Sequence, residues 1–388
     1  MRRYFILTIA LAVVACASSA QVEPMGRLRE RVLTLAAGQA VYMDSLLTAA
    51  GWTEEAPLCP KTFEDGMLVT SDIGWWCSGF FPGVLWQVYE HSGDAAVRAL
   101  AVKHTLPLRA LLDRRTDHDI GFQLMSSFGR MLKDTGDAAC EPVLRRGADT
   151  LAARFVPAAG VIRSWDWGGW NIPVIIDNMM NLELLMEYGD RKTAEIHALA
   201  TIRNHFREDG TAFHLVDYSD DGEVLGKQTV QGFADESAWA RGQAWAMYGY
   251  AMMAREEREA GNEDLAAAFY GTAHKLEEWI LARLPEDGIP YWDFSQSDCK
   301  DASAGAVIAS ALLDLWRSRQ GDADDPALKT AERILRTLAS PEYLAEPGMQ
   351  GGFLLKHCVG NLPGNSEVDV PLTYADYYFL EALSRFPL

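Results

Sequence analysis

The sequence is poor in basic residues for its length of 388 residues. Lys and Arg number 35 against 54 Asp and Glu, which gives a formal net charge of −19. Because binding to nucleic acid requires clustered cations that neutralise phosphates, this balance argues against a nucleic-acid partner. The same field would repel a long anionic polysaccharide, whereas a small acidic ligand could still enter a local pocket.

Cysteine is also scarce, and several common catalytic motifs are missing. The six cysteines form no CxxC pair, and without Cys16 an odd number is spread through the chain, which fits neither a zinc site nor a disulfide framework. We find no Walker A loop, no strand-associated GxGxxG, no HExxH and no GxSxG. We therefore expect most of the cysteines to be buried thiols.

The N-terminus, MRRYFILTIALAVVACASSAQ, combines a basic start, an apolar stretch and small residues, as in a secretory signal. Cleavage before Gln21 is one interpretation. The other is that VVAC is a bacterial lipoprotein box in which Cys16 becomes lipidated. We expect an exported protein, periplasmic or anchored to the outer membrane, with a signal at 1–20 and a single domain at 21–388.

Apolar residues recur at helical spacing along most of the chain, whereas period-two alternation is almost absent. Two examples are a stripe at Leu265, Phe269, Leu276 and Ile280 and, after the start signal Asp325-Pro326, another at Leu328, Ala331, Leu335 and Leu338. This pattern predicts an all-α protein, with no transmembrane helix in the mature chain. At about 30 residues per helix and loop, roughly twelve helices fit, which suits an α/α toroid.

The segment VIIDNMMNLELLM (174–186) places an aspartate, Asp177, inside an apolar run. An ionised carboxylate there is costly unless paired, so Asp177 is a helix cap, a partner in a hydrogen-bonded network or a proton donor. Val174, Ile175 and Ile176 come before it, so we expect an apolar wall in which desolvation raises the pKa of the carboxyl. Capping and catalysis both stay open.

A second acidic patch is DHDIGFQ (117–123), in which two carboxylates flank His118 ahead of a glycine. Acid, base and metal-ligand roles are chemically open for it. The alternative is a polar loop in which Asp119 caps the following helix.

Aromatic and basic residues form two further patches and a tail. Tryptophans with flat faces suitable for sugar stacking, or for lid packing, come just before Asp177 at Trp165, Trp167 and Trp170. In QGFADESAWARGQAWAMYGY (231–250), a helix would align Ser237, Arg241 and Trp245 on one stripe. Arg241 could pair with a substrate carboxylate or with a carboxylate of the protein. The tail (356–383) joins a Gly/Pro/Asn-rich loop to an aromatic helix that could wall a pocket or close a ring.

Together these patches resemble glycoside hydrolase family 88, the unsaturated glucuronyl hydrolases. The matching segments run in order along nearly the whole mature chain: WWCSGFFPGVLW, DHDIGF, SWDWGGWNIPVIIDNMMNLELL, HFREDGTAFHLVDY, DESAWARGQAWAMYGY and NSEVDVPLTYADYYFLEAL. The resemblance implies an (α/α)6 barrel with its pocket at one end. It also implies a substrate left by a polysaccharide lyase, an oligosaccharide with a 4,5-unsaturated uronic acid at its non-reducing end.

The resemblance assigns roles to the two aspartates. Asp177 would protonate C4 of the vinyl ether and help water add at C5, after which the hemiketal collapses and releases the remaining sugar. Asp119 would hold sugar hydroxyls and tune Asp177 through like-charge proximity. No metal or organic cofactor is implied, because proton transfer to an enol ether needs neither.

The resemblance also implies a set of binding residues. Those matching positions that bind the unsaturated ring or its neighbour are His214, Gln231, Trp239, Arg241 and Trp245. Arg241 would pair with the uronate carboxylate, and the pocket wall would include His118, Trp165 and Ser366. We expect a monomer or a dimer.

Three other functions compete with this one. An unsaturated rhamnogalacturonyl hydrolase has a similar barrel and chemistry but acts on pectin-derived substrates. A non-catalytic sugar-binding toroid would need only the Trp clusters and the lipid anchor. A sugar epimerase on an α/α barrel would use histidine acid/base pairs instead of the aspartate of DNMMN.

Overall fold

The computed structural model describes residues 22–114 and 116–388. The expected signal at 1–20 and the candidate lipidation site Cys16 lie outside the described residues, so both stay predictions. The five remaining cysteines are free thiols, four buried and Cys299 half-buried, which confirms the prediction of mainly buried thiols.

The described residues form thirteen α-helices. They are α1 (Met25–Ala49), α2 (Phe80–Ser92), α3 (Ala95–Thr105), α4 (Ile120–Leu124), α5 (Arg130–Thr135), α6 (Cys140–Ala152), α7 (Asn178–Tyr188), α8 (Arg191–His205), α9 (Ala240–Glu259), α10 (Glu263–Leu281), α11 (Ala302–Ser318), α12 (Pro326–Leu338) and α13 (Thr373–Arg385). A π-helical turn, Met125–Gly129, joins α4 to α5, so these two form one continuous rod and the described chain has twelve rods.

Six of these rods form a closed inner ring. In order they are α2, α4–α5, α7, α9, α11 and α13, and α13 packs back against α2. The other six, α1, α3, α6, α8, α10 and α12, lie outside this ring, each against an inner neighbour. The predicted (α/α)6 barrel of about twelve helices is therefore confirmed.

The two rings differ in their sequence patterns. In the inner helix α11 every residue from 302 to 315 is buried, so apolar residues occur on all its faces. The outer helix α12 buries only one stripe, which contains Leu328 and Leu335, and begins where the Asp325 carboxylate accepts a hydrogen bond from the Ala327 amide. Helical periodicity therefore marks the outer helices, whereas the inner ones read as nearly continuous apolar segments.

Glycines allow the inner helices to approach each other closely around α7. A Cβ on Gly121 of α4 would lie 2.5 Å from the Asn181 Cα, and one on Gly249 of α9 would lie 2.5 Å from the Met179 Cβ. These distances are shorter than any van der Waals contact, so both neighbours of α7 need glycine at these positions.

The described residues also form nine short strands in four small sheets, which are the main difference from the predicted all-helical pattern. They are β1 (Cys59–Glu64), β2 (Met67–Ser71), β3 (Phe155–Val156), β4 (Val161–Ile162), β5 (Ile172–Ile175), β6 (Leu215–Tyr218), β7 (Val224–Gln228), β8 (Cys358–Asn361) and β9 (Ser366–Val370). All pairings are antiparallel, and β5, β6 and β7 form the one three-stranded sheet of the described chain. Strand β5 is buried at all four residues, so its sequence shows no alternation.

Helix α1 is the one helix of the described ranges that is long and apolar enough to cross a membrane by length and composition. A core helix passes the same test. In the fold its buried residues, including Leu28, Val32 and Leu47, belong to the main hydrophobic core. The absence of a transmembrane helix from the mature chain stays a prediction.

Candidate active site

A cavity of about 540 Å³ opens at the end of the barrel where the inner helices begin. Residues before or in the first turns of α4, α7, α9 and α13 line it, together with hairpin and loop residues. Eight of the ten predicted site residues are in its wall: His118, Asp119, Trp165, Asp177, His214, Gln231, Arg241 and Ser366. Folding therefore brings together residues separated by up to 248 positions (366 − 118).

Asp177 lies between strand β5 and helix α7, at the N-cap position, but its side chain does not cap the helix. The first amides of α7 use backbone acceptors instead, since Met179 and Met180 donate to the carbonyls of Ile176 and Asp177. The side chain is buried and its Oδ2 makes no hydrogen bond to the protein. Burial raises the pKa of Asp177 to about 7, although the charge of Arg241 lowers it. A carboxyl of this kind keeps a proton near neutral pH.

Asp119 occupies the corresponding position before helix α4, and its side chain does not cap either. Its backbone amide donates to the Asp117 carboxylate at 3.2 Å. Burial raises the pKa of Asp119 well above its usual range, and the charges of Asp117 and Asp177 raise it further. Burial is the main cause of the raised pKa of both carboxyls, and a like-charge contribution acts on Asp119 but not on Asp177.

Two neutral histidines stand beside the two carboxyls. Burial lowers the pKa of His118 and of His214 to about 3. The Nδ1 of His214 accepts the Val230 amide at 3.0 Å, so the proton resides on Nε2, which faces the Asp177 Oδ2 at 3.9 Å. The Nε2 of His118 similarly lies 3.4 Å from the Asp119 Oδ1. Each carboxyl therefore has an uncharged imidazole edge next to it.

Arg241 is a fully buried cation in the pocket wall. Its Nη1 donates to the Val359 carbonyl and lies 3.4 Å from the Asp301 carboxylate, while Nη2 donates to the Gly360 carbonyl at 2.7 Å. The alternative that Arg241 pairs with a carboxylate of the protein is thus confirmed, but the residue still lines the cavity. Its Nε is buried and makes no hydrogen bond within the described residues.

The tryptophans before Asp177 form an aromatic cluster at the cavity. The Trp165 and Trp167 rings stack at 5.9 Å between centroids, and Trp170 meets Trp165 edge-on at 5.6 Å. Trp167 is 55% exposed, so one of its faces is open to solvent. The cluster provides the flat apolar surface on which a sugar ring can stack.

Several polar atoms in the cavity wall have no protein partner. Each is buried and makes no hydrogen bond within the described ranges: Trp165 Nε1, Asp177 Oδ2, His214 Nε2, Arg241 Nε and the Tyr374 hydroxyl. An unsatisfied buried polar atom costs about 1–3 kcal/mol, and most folds avoid it. Such a concentration at one cavity indicates a surface built for a polar ligand.

Two predicted binding residues lie behind the wall instead of in it. Trp239 is 3% exposed and packs against His214 with the rings tilted at 42° and their centroids 4.5 Å apart. Trp245 is fully buried against Phe122 and Tyr374. Their predicted contact with the sugar stays a prediction, while their packing supports residues that do line the cavity. The predicted stripe is wrong for Ser237, because α9 begins only at Ala240 and Ser237 lies in the preceding loop.

The cavity also contains residues that the motifs did not single out. The most prominent are Trp75, Trp76, Arg114, Asn361, Glu367 and Tyr374. The two tryptophans and Tyr374 lie in segments quoted for the resemblance, but as aromatics in apolar surroundings they look like core residues. Tyr374 shows that the tail walls the pocket and, through α13, also closes the ring. No group of three or more His, Cys, Asp or Glu in the described chain is placed to hold a metal ion.

Comparison with known proteins gives consistent results, although no family model matches the chain. It is 41% identical over 325 residues to an unsaturated glucuronyl hydrolase of Formosa agariphila, covering 80% of this chain and 79% of that protein. It is 32% identical over 345 residues to an unsaturated chondroitin disaccharide hydrolase of Streptococcus pneumoniae, covering 84% and 85%. Among solved structures, an unsaturated glucuronyl hydrolase specific for heparin superposes with a TM-score of 0.85 at 42% identity, covering 93% of this chain and 97% of that one.

Proposed function

This chain belongs to the unsaturated glucuronyl hydrolases of glycoside hydrolase family 88, and we propose that Asp177 is the acid on which its reaction depends. The protein is a glycoside hydrolase that releases the unsaturated uronic acid from oligosaccharides. The observation that carries the assignment of Asp177 is its position. It stands at the start of an inner helix without capping it, buried, with Oδ2 unbonded and a pKa raised to about 7.

In the first step the protonated Asp177 carboxyl gives its proton to C4 of the vinyl ether. The C4=C5 π electrons form the new C–H bond, and the positive charge that develops at C5 is stabilised by the ring oxygen. A carboxyl with a pKa near the working pH suits this step, because it is protonated often enough and still acidic enough to donate. His214 beside Asp177 is neutral, so it adds no positive charge that would repel the charge developing at C5.

In the second step the newly ionised Asp177 takes a proton from water as the water oxygen bonds to C5. The product is a hemiketal, which opens to the keto sugar and expels the remaining oligosaccharide at C1. The enzyme therefore uses one carboxyl in turn as acid and as base, unlike glycosidases that place two carboxyls around the anomeric carbon. Asp119, in the same wall, holds hydroxyls of the unsaturated ring.

The substrate carboxylate lies toward Arg241 in this proposal. Nη1 of Arg241 donates to Val359 and Asp301, and one N–H of Nη2 donates to Gly360. The second N–H of Nη2, the Nε and the buried positive charge remain for the substrate carboxylate. The remaining polar donors of the wall, Trp165 Nε1 and the Tyr374 hydroxyl, are available to the sugar. The next sugar stacks on the tryptophan cluster, of which Trp167 is the exposed member.

The experiment that tests the function follows the ultraviolet absorbance of the conjugated double bond. Purified protein is added to unsaturated disaccharides from heparin, chondroitin and pectin lyase digests. Loss of absorbance with the glycosaminoglycan products would support the glucuronyl hydrolase and identify the parent polymer. Loss only with the pectin products would favour the rhamnogalacturonyl specificity, and no loss with any set, while the sugars still bind, would leave a binding protein.

We also propose that the protein is exported, on the basis of its basic and apolar N-terminus. Expression in a Gram-negative host, followed by mass spectrometry of the mature N-terminus, separates the two processing routes. Lipidation predicts an N-terminal cysteine that carries a diacylglyceryl group and an N-acyl chain, and a membrane fraction that Cys16→Ser abolishes. Cleavage before Gln21 predicts a periplasmic product that Cys16→Ser leaves unchanged, and an intact N-terminus would contradict export by either route.

A further inference from the structure

The first turn of helix α4 obtains its cap from another helix. Amides at the start of a helix lack partners within the helix, and the side chain at the N-cap position usually accepts the third one. Here that residue is Asp119, yet its side chain makes no capping bond. The Phe122 amide, third in the helix, instead donates to the Asn181 Oδ1 of helix α7 at 2.8 Å.

The nitrogen of the Asn181 amide faces the Asp119 carboxyl, whose usual capping role the Asn181 oxygen takes over. Asn181 is fully buried, and its Nδ2 lacks a well-formed hydrogen bond within the described part of the chain. An interaction with Asn181 lowers the pKa of the Asp119 carboxyl, although burial and the charges of Asp117 and Asp177 outweigh it and keep that pKa raised. The oxygen of the Asn181 amide therefore caps helix α4, and its nitrogen lies toward Asp119.

Close packing fixes this arrangement. A Cβ on Gly121 would lie 2.5 Å from the Asn181 Cα and 2.7 Å from its Cβ and carbonyl oxygen, so α4 touches α7 at this residue. Asn181 also sits one turn after Asp177 on α7. The two functional carboxyls are therefore tied to each other through a single rigid contact between two inner helices.

We propose that Asn181 is a positioning residue that takes over the cap of α4, thereby freeing the Asp119 carboxyl for the cavity, and holds that carboxyl toward the substrate. This inference rests on the proposed function for its kinetic consequences, but not for its structural one. Without Asn181, we expect the Asp119 carboxylate to turn back to the usual capping position and accept the Phe122 amide.

The first test is Asn181→Asp in the full-length protein, because a carboxylate oxygen can still accept the Phe122 amide while the donor toward Asp119 is lost. The new negative charge also stabilises the protonated forms of neighbouring carboxyls. We expect reduced thermal stability at neutral pH, because the new carboxyl is fully buried. At a temperature where the variant is folded, we expect a fall in kcat of about tenfold or more and a shift of the alkaline limb of the pH profile to higher pH by about one unit.

The matched control is Asn262→Asp, the same change at the start of helix α10, far from the cavity and on the surface. A purely structural role for Asn181 predicts that both variants keep the wild-type kcat and pH profile, which would overturn the proposal. If the wild-type protein consumes none of the unsaturated sugars, the proposed function is contradicted instead. The second test of Asn181 does not depend on turnover, so it can still be applied in that case.

The second test is the crystal structure of Asn181→Ala, which removes both halves of the amide. We expect the Asp119 carboxylate to rotate and accept the Phe122 amide, leaving the cavity wall. An Asp119 side chain in its original position, with the Phe122 amide bonded elsewhere, would refute the proposal. If this variant does not fold, the crystal structure of Asn181→Leu decides by the same criterion, because leucine keeps the volume of the side chain but also lacks both the acceptor and the donor.

Discussion

Both ends of the barrel contain polar side chains around a cavity, but they differ in whether the buried polar atoms have protein partners. At the end where the inner helices begin, the cavity wall contains five buried polar atoms without a protein partner. At the other end a second cavity of about 530 Å³ is lined by an equal number of acidic and basic residues: Glu90, Glu183, Glu187, Glu381, Arg130, Lys133, Arg317 and Arg385. None of the residues lining this second cavity has such an unpaired atom in the described chain.

Glu381 illustrates how the second end is satisfied. Its carboxylate accepts hydrogen bonds from Tyr248 and Ser310 at 3.0 and 2.7 Å, and it lies within 3.7 Å of the guanidinium groups of Arg130 and Arg385. A buried charge with this many partners is a structural element. The buried Asp177 carboxyl, whose Oδ2 has no hydrogen-bond partner among the described residues, costs stability, as expected of the acid proposed above. A buried carboxyl thus stabilises the fold at one end and, in the proposed function, donates a proton at the other.

The largest expected effect is the loss of turnover in Asp177→Asn. The amide cannot give a proton to C4, so kcat should fall by about a thousandfold or more, while the affinity for the unsaturated disaccharide stays within a few-fold of wild type. Absorbance assays give kcat, and isothermal titration calorimetry gives the affinity. Asp94→Asn, at the surface N-cap of α3 where an amide also caps, should behave as wild type. A wild-type rate in Asp177→Asn would remove Asp177 as the acid.

The same substitution should make the folded protein more stable at alkaline pH. The pKa of Asp177 rises from 3.8 to about 7 on folding, so between these values the folded chain holds a proton that the unfolded chain has lost, and stability falls as pH rises. Asn carries no such penalty. We expect equal stability of the two proteins at pH near 4 and a gain of up to about 4 kcal/mol for Asp177→Asn at pH 8, measured by urea denaturation. Equal stabilities at pH 8 would mean that burial does not raise the pKa of Asp177 in the folded protein.

Removing a carboxylate at the other end should have the opposite sign. Glu381→Gln keeps an acceptor for Tyr248 and Ser310 but leaves Arg130 and Arg385 without their shared negative charge. We expect a loss of about 3 kcal/mol in the free energy of unfolding, with kcat unchanged at a temperature where the variant is folded. Glu332→Gln, which breaks the more exposed pair with Arg336, should cost less than about 1 kcal/mol. A fall in kcat of Glu381→Gln without a loss of stability would contradict the division between the two ends.

Most of the fold could be predicted because the outer helices carry visible stripes. Helices α10 and α12 were found from their period and from the Asp325-Pro326 start signal, and the Asp325 cap is present. The strands were missed because they are short and, in β5, buried on both faces, which removes the alternation that marks a strand. The start of α9 was placed too early for Ser237, since nothing in the local sequence distinguishes the loop from the helix.

The sequence predicted most of the residues that line the site, but not what each side chain does there. The resemblance named Asp119 and Asp177, and both line the cavity. Whether they cap their helices could not be read from sequence, because the deciding group for Asp119 is Asn181, which is 62 residues away (181 − 119) on another helix. Sequence likewise could not show that Arg241 lies in the cavity wall and Trp239 behind it. That difference depends on which side of α9 faces the cavity and on strand β8, whose carbonyls accept hydrogen bonds from the Arg241 guanidinium.

The smallest expected effect tests whether the tryptophan cluster acts on binding alone. Trp167 exposes 55% of its surface at the cavity and stacks on Trp165, so its removal should cost the affinity of one sugar contact without disturbing the acid. We expect Trp167→Ala to raise KM by about fivefold, with kcat and thermal stability nearly unchanged, since aromatic stacking is worth about 0.5–1.5 kcal/mol. Met349→Ala, equally exposed but outside the cavity, is the control and should leave KM unchanged. A large fall in kcat would mean that Trp167 also orients the double bond relative to Asp177, because a residue that only adds uniform binding cannot change the rate at saturation.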